Sequence, residues 1–88
     1  MSLPVNLKIG GRLCVIIGGG HVARRKCLKL LEYGARVRVV ASHFNEWDSI
    51  PKEAALDLIQ RPFEEGDLAG AFLVIAATDD PDLNDRIA

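Results

Sequence analysis

The 88-residue chain has little of what marks secreted, metal-binding or membrane proteins. Its two cysteines form no Cys-x-x-Cys pair and no cluster with histidine, so we expect no metal site. A net charge of −1 gives no electrostatic reason to expect a nucleic-acid or membrane partner. The sequence shows no signal peptide and no apolar run long enough for a membrane span, and reduced thiols fit a cytoplasmic protein.

Apolar residues make up 49% of the sequence, which is enough for one small core. A chain of this length buries only about 60–65% of the surface that it exposes when unfolded. A complete doubly wound α/β fold usually has more strands than fit here. We therefore expect residues 1–88 to form a single domain that belongs to a larger protein or to an obligate oligomer.

Short apolar runs alternate with helical stretches, which is typical of a parallel sheet with crossover connections. Strands are predicted over residues 13–17, 36–40, 56–60 and 72–76. A helix is predicted over residues 21–33, with Gly34 just past its end as a left-handed cap. Its apolar face is expected to hold Val22, Ala23, Cys27, Leu30 and Leu31.

The connecting segments carry weaker signals. Residues 41–50 are expected to be a loop with one helical turn, in which Phe44 and Trp47 cover the edge of the sheet. Residues 64–68 are expected to form a turn or a single helical turn, with Glu64, Glu65 and Asp67 solvated. Asp80 and Pro81 suit the N-cap and first position of a second helix. Cys14 and Cys27 are expected to be buried as small apolar residues.

The most informative motif follows the first strand directly. Gly18, Gly20 and Ala23 stand in Gly-x-Gly-x-x-Ala spacing between an apolar strand and an amphipathic helix. In this pattern the first glycine makes a tight turn, the second lets the backbone approach a pyrophosphate, and the small third residue packs helix against strand. The free N–H groups at a helix start favour a phosphate. The sequence therefore predicts a Rossmann-like, doubly wound parallel sheet of about four strands that binds a dinucleotide.

One element of that fingerprint is missing. A carboxylate usually follows the second strand and binds the ribose hydroxyls, but Ala41, Ser42 and His43 occupy this place. Ser42 is a candidate for a ribose hydroxyl, and His43 for a phosphate or the adenine. Chemistry alone therefore leaves NAD and NADP open.

Two blocks of sequence together carry a family resemblance. GGGHVARRK at residues 18–26 and LVIAATDD at residues 73–80 occur in the order and spacing of siroheme synthase N-terminal domains. The resemblance extends over nearly the whole chain, through residues 31–35, residues 39–41, Leu3-Pro4 and Asn84.

The resemblance implies a precorrin-2 dehydrogenase, a class in which some members are also sirohydrochlorin ferrochelatases. It implies NAD-dependent oxidation of precorrin-2, a tetrapyrrole, to sirohydrochlorin on the route to siroheme or cobalamin. It also implies a Rossmann domain followed by a dimerisation region and a helical domain, in a protein that is a homodimer at full length.

Site residues follow from the resemblance by position. Gly20, His21 and Val22 would contact the pyrophosphate and its neighbouring ribose, with Ser42 and His43 beside the adenosine. Thr78 and Asp79 would border the nicotinamide. The family's catalytic aspartate would lie beyond Ala88, so no catalytic residue is assigned here. The basic run at residues 24–26 is expected to be a solvated helix face rather than a substrate contact.

Two alternatives to an enzyme stay open. A regulatory NAD-binding module, as in potassium transport proteins, also pairs a glycine-rich turn with an Ala-Thr-Asp-Asp stretch. Such modules normally carry an aspartate after the second strand, where this chain has Ala41 and Ser42. The other alternative is a fragment that folds and binds nucleotide without catalysing a reaction. Turnover of precorrin-2 separates the enzyme from the module, and a coding region that continues past Ala88 into a strand with an aspartate would separate it from the fragment.

Overall fold

The sheet has four parallel strands in the order β3-β2-β1-β4. The computed structural model describes residues 9–48, 50, 55–79, 83–84 and 87. The strands are β1 (Leu13–Ile17), β2 (Arg36–Ala41), β3 (Leu56–Gln60) and β4 (Leu73–Ala76). Helix α1 (His21–Glu32) joins β1 to β2, and a 3-10 helix (Glu65–Leu68) lies between β3 and β4. The predicted α/β class and four-stranded parallel sheet are confirmed.

Helix α1 covers one face of the sheet. Side chains alternate across a strand, so Cys14 and Ile16 share this face with Val37 and Val39, their partners in the parallel register. The helix packs on them through Ala23, Cys27 and Leu30, and the face is completed by Ile9, Ala35, Trp47 and Ile50. This is the larger of the two core clusters, and it seats the start of α1 at the end of β1.

The opposite face is built from the alternate residues of the same strands. Val15, Ile17 and Val40 form its buried centre. Partly buried side chains pack against them, including Ile59, Phe63, Leu68, Ala71, Val74 and Ile87. Arg38 belongs to this face and donates through Nη1 to the carbonyl oxygens of Asp67 (3.2 Å) and Ala69 (3.4 Å). The chain between β3 and β4 therefore covers the side of the sheet that α1 leaves open.

The predicted apolar face of α1 is wrong for one residue, Val22. Val22 is 49% exposed, whereas Ala23, Cys27 and Leu30 are buried and Leu31 packs partly buried against them. A residue next to Ala23 is turned about 100° around the axis of an α-helix, so Val22 points away from the sheet. The helix ends one residue earlier than predicted, at Glu32, and Gly34 adopts the expected left-handed conformation with φ of 85°.

The strand bounds differ from the prediction at two ends. Strand β2 extends to Ala41. Strand β4 begins at Leu73; Phe72 precedes it, is exposed and lies under the Arg12 guanidinium, 4.5 Å from the ring centroid. Residues 41–48 hold no helix; a single turn is closed by the Ile50 N–H, which donates to Trp47 O at 3.3 Å. Leu3-Pro4, Asp80 and Pro81 lie outside the described residues.

Both cysteines are buried and free, as predicted. Burial raises the pKa of the Cys27 thiol to about 11, and it also raises the pKa of Cys14. Because the thiolate is the reactive form, both side chains act as small apolar residues in the core. Across the ranges given above, the structure has no helix that is both long and apolar enough to cross a bilayer.

Candidate functional site

A cleft of about 360 Å³ lies at the carboxyl ends of the strands. Ligands of open α/β sheets bind at this edge, where the strand order reverses and the neighbouring loops diverge. Here β1 is followed by β2 and β3 on one side and by β4 on the other, so the reversal is at β1. The lining comes from the segments after β1, β2, β3 and β4: Ile17, Gly18, Gly19, Gly20, Val40, Ala41, Ser42, His43, Asn45, Phe63, Ala77, Thr78, Asp79 and Leu83.

Gly18 lets the chain leave β1 between the ends of its two neighbours. Its φ of 135° is one that side-chain-bearing residues rarely adopt. A Cβ at this position would overlap Ala77 O and lie 2.7 Å from Ala77 C. Its N–H donates to Val40 O at 2.9 Å. Glycine is therefore required at this predicted turn. The chain passes too close to Ala77, directly after β4, for a side chain, and it is hydrogen-bonded to β2.

Gly19 is enclosed by the loop that follows β2. A Cβ on Gly19 would overlap His43 O and lie 2.9 Å from Ala41 Cβ. Its carbonyl oxygen accepts two hydrogen bonds, from the Asn45 N–H (2.8 Å) and from Trp47 Nε1 (2.7 Å). The motif spacing treats this position as variable, so the sequence analysis missed it. The only signal was a third glycine inside the pattern.

Gly20 faces the open cleft. It is the N-cap of α1 with extended φ and ψ of −91° and −166°, and a Cβ built on it would meet no heavy atom within 4 Å. The first turn of α1 has no acidic side chain that would compete for the helix dipole. Ala23, the third position of the motif, is fully buried against the sheet. A phosphate group therefore has both space and N–H donors at this point, and the geometry fits a dinucleotide.

The structure brings six of the eight predicted site residues to the cleft. These are Gly18, Gly20, Ser42, His43, Thr78 and Asp79. His21 and Val22 lie in the first turn of α1, outside the lining, with exposed side chains. His21 Nε2 is 3.9 Å from a Glu46 carboxylate oxygen. Their backbone N–H groups lie in the first turn of α1, where a phosphate would be held.

A compact set of hydrogen bonds holds the β4 side of the cleft. Asn84 Oδ1 accepts from the Thr78 N–H (3.2 Å) and the Thr78 hydroxyl (2.5 Å), and Asn84 Nδ2 donates to Thr78 O (3.0 Å). One amide side chain thus ties the segment after β4 to residues 83–84. Asn84 entered the sequence analysis only as part of the family pattern, without a role.

The turn before β4 is not simply solvated, which corrects the prediction for Asp67. This carboxylate is 5% exposed, is held by both terminal nitrogens of Arg61, and accepts from the Glu64 N–H at 2.8 Å. The Arg61 hydrogen bonds hold the pKa of Asp67 below its ordinary value. These contacts of Asp67 with Arg61 and Glu64, called here the Asp67 clasp, hold the segment that places Phe63 in the wall of the cleft.

No group of three or more metal-ligating side chains occurs within the described ranges. Arg24 Nη1 donates to Glu46 O at 3.2 Å, which ties the start of α1 to the loop after β2. Arg25 is exposed to solvent.

Comparison with known proteins agrees with this geometry. A family model described as "Putative NAD(P)-binding" matches residues 5–88. Siroheme synthases of Pseudomonas aeruginosa (strain LESB58) and Enterobacter sp. (strain 638) are 40% and 43% identical over 87 and 90 residues, which is 98% of this chain in each case. The chain belongs to the siroheme synthase N-terminal NAD(P)-binding family.

A solved structure of the same family supports the fold. "SirC, precorrin-2 dehydrogenase" has a TM-score of 0.78 and 31% sequence identity, over 96% of this chain and 43% of that chain. The match to the two siroheme synthases covers 19% of the length of each. The relationship therefore concerns their NAD(P)-binding region.

Proposed function

We propose that this chain binds NAD in the cleft at the end of β1 and is the cofactor-binding part of a precorrin-2 dehydrogenase. The observation that carries the proposal is the turn at residues 18–20. Gly18 and Gly19 are packed against neighbouring backbone, and Gly20 alone is open where α1 begins. The likeness to the precorrin-2 dehydrogenase SirC supports the choice of enzyme.

The lining residues divide the cleft into three parts. Gly20 and the backbone of His21 and Val22 would hold the pyrophosphate at the start of α1. Ser42 and His43 would lie beside the adenosine, and Thr78 and Asp79 beside the nicotinamide. When bound, the nicotinamide supplies a hydride acceptor. The chain's own part is to bind and orient the dinucleotide and to keep the end of β4 in place through Asn84.

The charge of the cleft favours NAD over NADP. Among the described residues, no arginine or lysine lines the cleft, and its titratable side chains are His43 and Asp79. A 2′-phosphate on the adenosine ribose normally needs an arginine nearby. Arg61, two positions before the lining residue Phe63, is paired with Glu64 and Asp67. The ribose would instead meet the exposed Ser42.

The chemistry beyond cofactor binding is carried over from the family. The substrate is proposed to be precorrin-2, a tetrapyrrole, with a catalytic aspartate on a part of the protein outside residues 1–88. A cytoplasmic homodimer is proposed for the whole protein. The 88-residue chain on its own is expected to bind NAD with weak or no turnover.

The proposal is tested by mixing the chain with NAD and freshly made precorrin-2 under anaerobic conditions and following NADH. Binding of NAD is measured in parallel by calorimetry on the same folded sample. Binding with little turnover is expected from residues 1–88, with full turnover from a protein that also carries the rest of the enzyme. Binding by both proteins with turnover by neither would indicate a regulatory NAD-binding module. No binding would contradict the proposal outright.

A further inference from the structure

We infer that Trp47 is a positioning residue that aims the Gly20 N–H at the pyrophosphate of a bound dinucleotide. The inference rests on the proposed function and deepens it. Trp47 lies outside the cleft lining and outside the motif, 28 positions from Gly19, to which it is bonded.

The first step is that Trp47 is itself immobile. Its side chain is 6% exposed and belongs to the core cluster under α1. Phe44 packs edge-on against it, with ring centroids 5.1 Å apart and an interplanar angle of 73°. An indole fixed on several sides presents its N–H in one direction, and that direction is Gly19 O at 2.7 Å.

The second step is the geometry of the peptide that joins Gly19 to Gly20. A trans peptide is planar, so its C=O and N–H point in opposite directions. The described residues contain no cis peptide bond. Because Trp47 Nε1 and the Asn45 N–H both hold Gly19 O on the side of the β2 loop, the Gly20 N–H is turned away from that loop. In the part of the chain that the structure describes, this N–H has no backbone acceptor.

The third step is that Trp47 Nε1 and the Asn45 N–H restrict rotation of the peptide between Gly19 and Gly20. Adjacent glycines have more accessible backbone conformations than other residues, so the peptide between them can rotate at little cost. A donor that must be ordered during binding gives less affinity than one already in place. Trp47 and Asn45 order it in advance, at a point where Gly20 is open to the cleft.

The decisive experiment removes one N–H and little else. Trp47 is replaced by β-(3-benzothienyl)alanine, which has sulfur where the indole has its N–H and nearly the same shape. Dissociation constants are measured by NMR titration for ADP-ribose, which carries the pyrophosphate, and for adenosine, which lacks it. We expect ADP-ribose to bind about 5- to 10-fold more weakly, as for loss of one hydrogen bond, and adenosine to bind unchanged.

A matched control separates positioning from core packing. Cys27→Ala removes a buried sulfur from the same core cluster but leaves Phe44, Trp47 and the Gly19 contacts in place. It is expected to lower the urea midpoint and to leave the ratio of the two dissociation constants unchanged. Trp47→Phe, which lacks the donor, should change that ratio in the same direction as the sulfur analogue.

The outcomes distinguish the inference from the function on which it rests. If the unaltered chain binds ADP-ribose and the analogue gives the same ratio, the inference is wrong and the proposed function stands. Equal weakening of ADP-ribose and adenosine also overturns it, since the role would be general packing. If the unaltered chain does not bind ADP-ribose, the proposed function is wrong, and the inference that rests on it is wrong as well.

Discussion

Three successive glycines at the end of β1 have three different physical roles. Gly18 needs its positive φ, Gly19 is enclosed by the loop after β2, and Gly20 faces open space. The pattern in the sequence predicted the first and third roles, because motif spacing encodes a turn and a close approach. It could not show the second, since the contact with His43 O depends on how the β2 loop folds back.

Alanine substitutions at two of these glycines are predicted to affect different properties, stability for Gly19 and NAD binding for Gly20. Gly19→Ala should lower the free energy of unfolding by at least about 2 kcal/mol, because the new methyl group would overlap backbone. Gly20→Ala should lower it by no more than about 1 kcal/mol, the cost of alanine at an N-cap, but weaken NAD binding about tenfold, by filling the place of phosphate approach. Urea unfolding and calorimetric titration measure the two quantities. Similar loss of stability in both variants would contradict this division of roles.

Single elements are held in place by side chains that periodicity does not reveal. The bounds of β1 and β3 were predicted to the residue, because apolar runs between turn residues are a strong local signal. The burial of Asp67 was missed, although the partners of its carboxylate, Arg61 and the Glu64 N–H, lie only six and three positions away. Local polarity suggested a solvated turn, because sequence alone does not show that these charges pair with one another rather than with water.

The Asp67 clasp predicts a pH-dependent contribution to stability. Because the folded pKa of Asp67 lies below its ordinary value of about 3.9, its stabilisation is present above that value and is lost as the pH falls through the lowered folded pKa. Asp67→Asn should therefore destabilise by about 1–2 kcal/mol between pH 5 and 7, and by less below pH 4. Urea midpoints of both proteins against pH measure this. The control is Asp57→Asn, at an exposed position, with an expected change in stability near zero. If the stability difference between Asp67→Asn and the unaltered chain stayed constant down to pH 3, the assignment would be refuted.

The Asn84 contacts predict a second element-scale effect, on the β4 side of the cleft. Asn84→Ala removes three hydrogen bonds to Thr78 and should lower the free energy of unfolding by about 1–2 kcal/mol. Asn84→Asp keeps the acceptor for the Thr78 N–H and hydroxyl and should lose less. Chemical denaturation orders the three proteins. If Asn84→Asp were less stable than Asn84→Ala, the contacts in which Asn84 accepts hydrogen bonds would not be the dominant ones.

At the scale of the whole molecule, sheet order places all the candidate groups at one edge. Ser42, Thr78 and Gly20 are far apart in sequence, and parallel pairing brings the ends of β1, β2 and β4 together. The fold class and this clustering could be predicted, because alternation of strand and helix restricts the topology. The role of Trp47 could not, since the indole reaches Gly19 only after the β2 loop closes over the turn.

The account's central claim is that a dinucleotide binds at the carboxyl edge of the sheet, across residues 18–20. The most direct test is a titration of the ¹⁵N-labelled chain with NAD, followed residue by residue by NMR. The largest shifts are predicted at Gly20, Ser42, His43 and Thr78, together with the indole N–H of Trp47, which is unambiguous because the chain has one tryptophan. No shifts, or shifts centred on Arg36 and Leu56 at the opposite edge, would contradict the account.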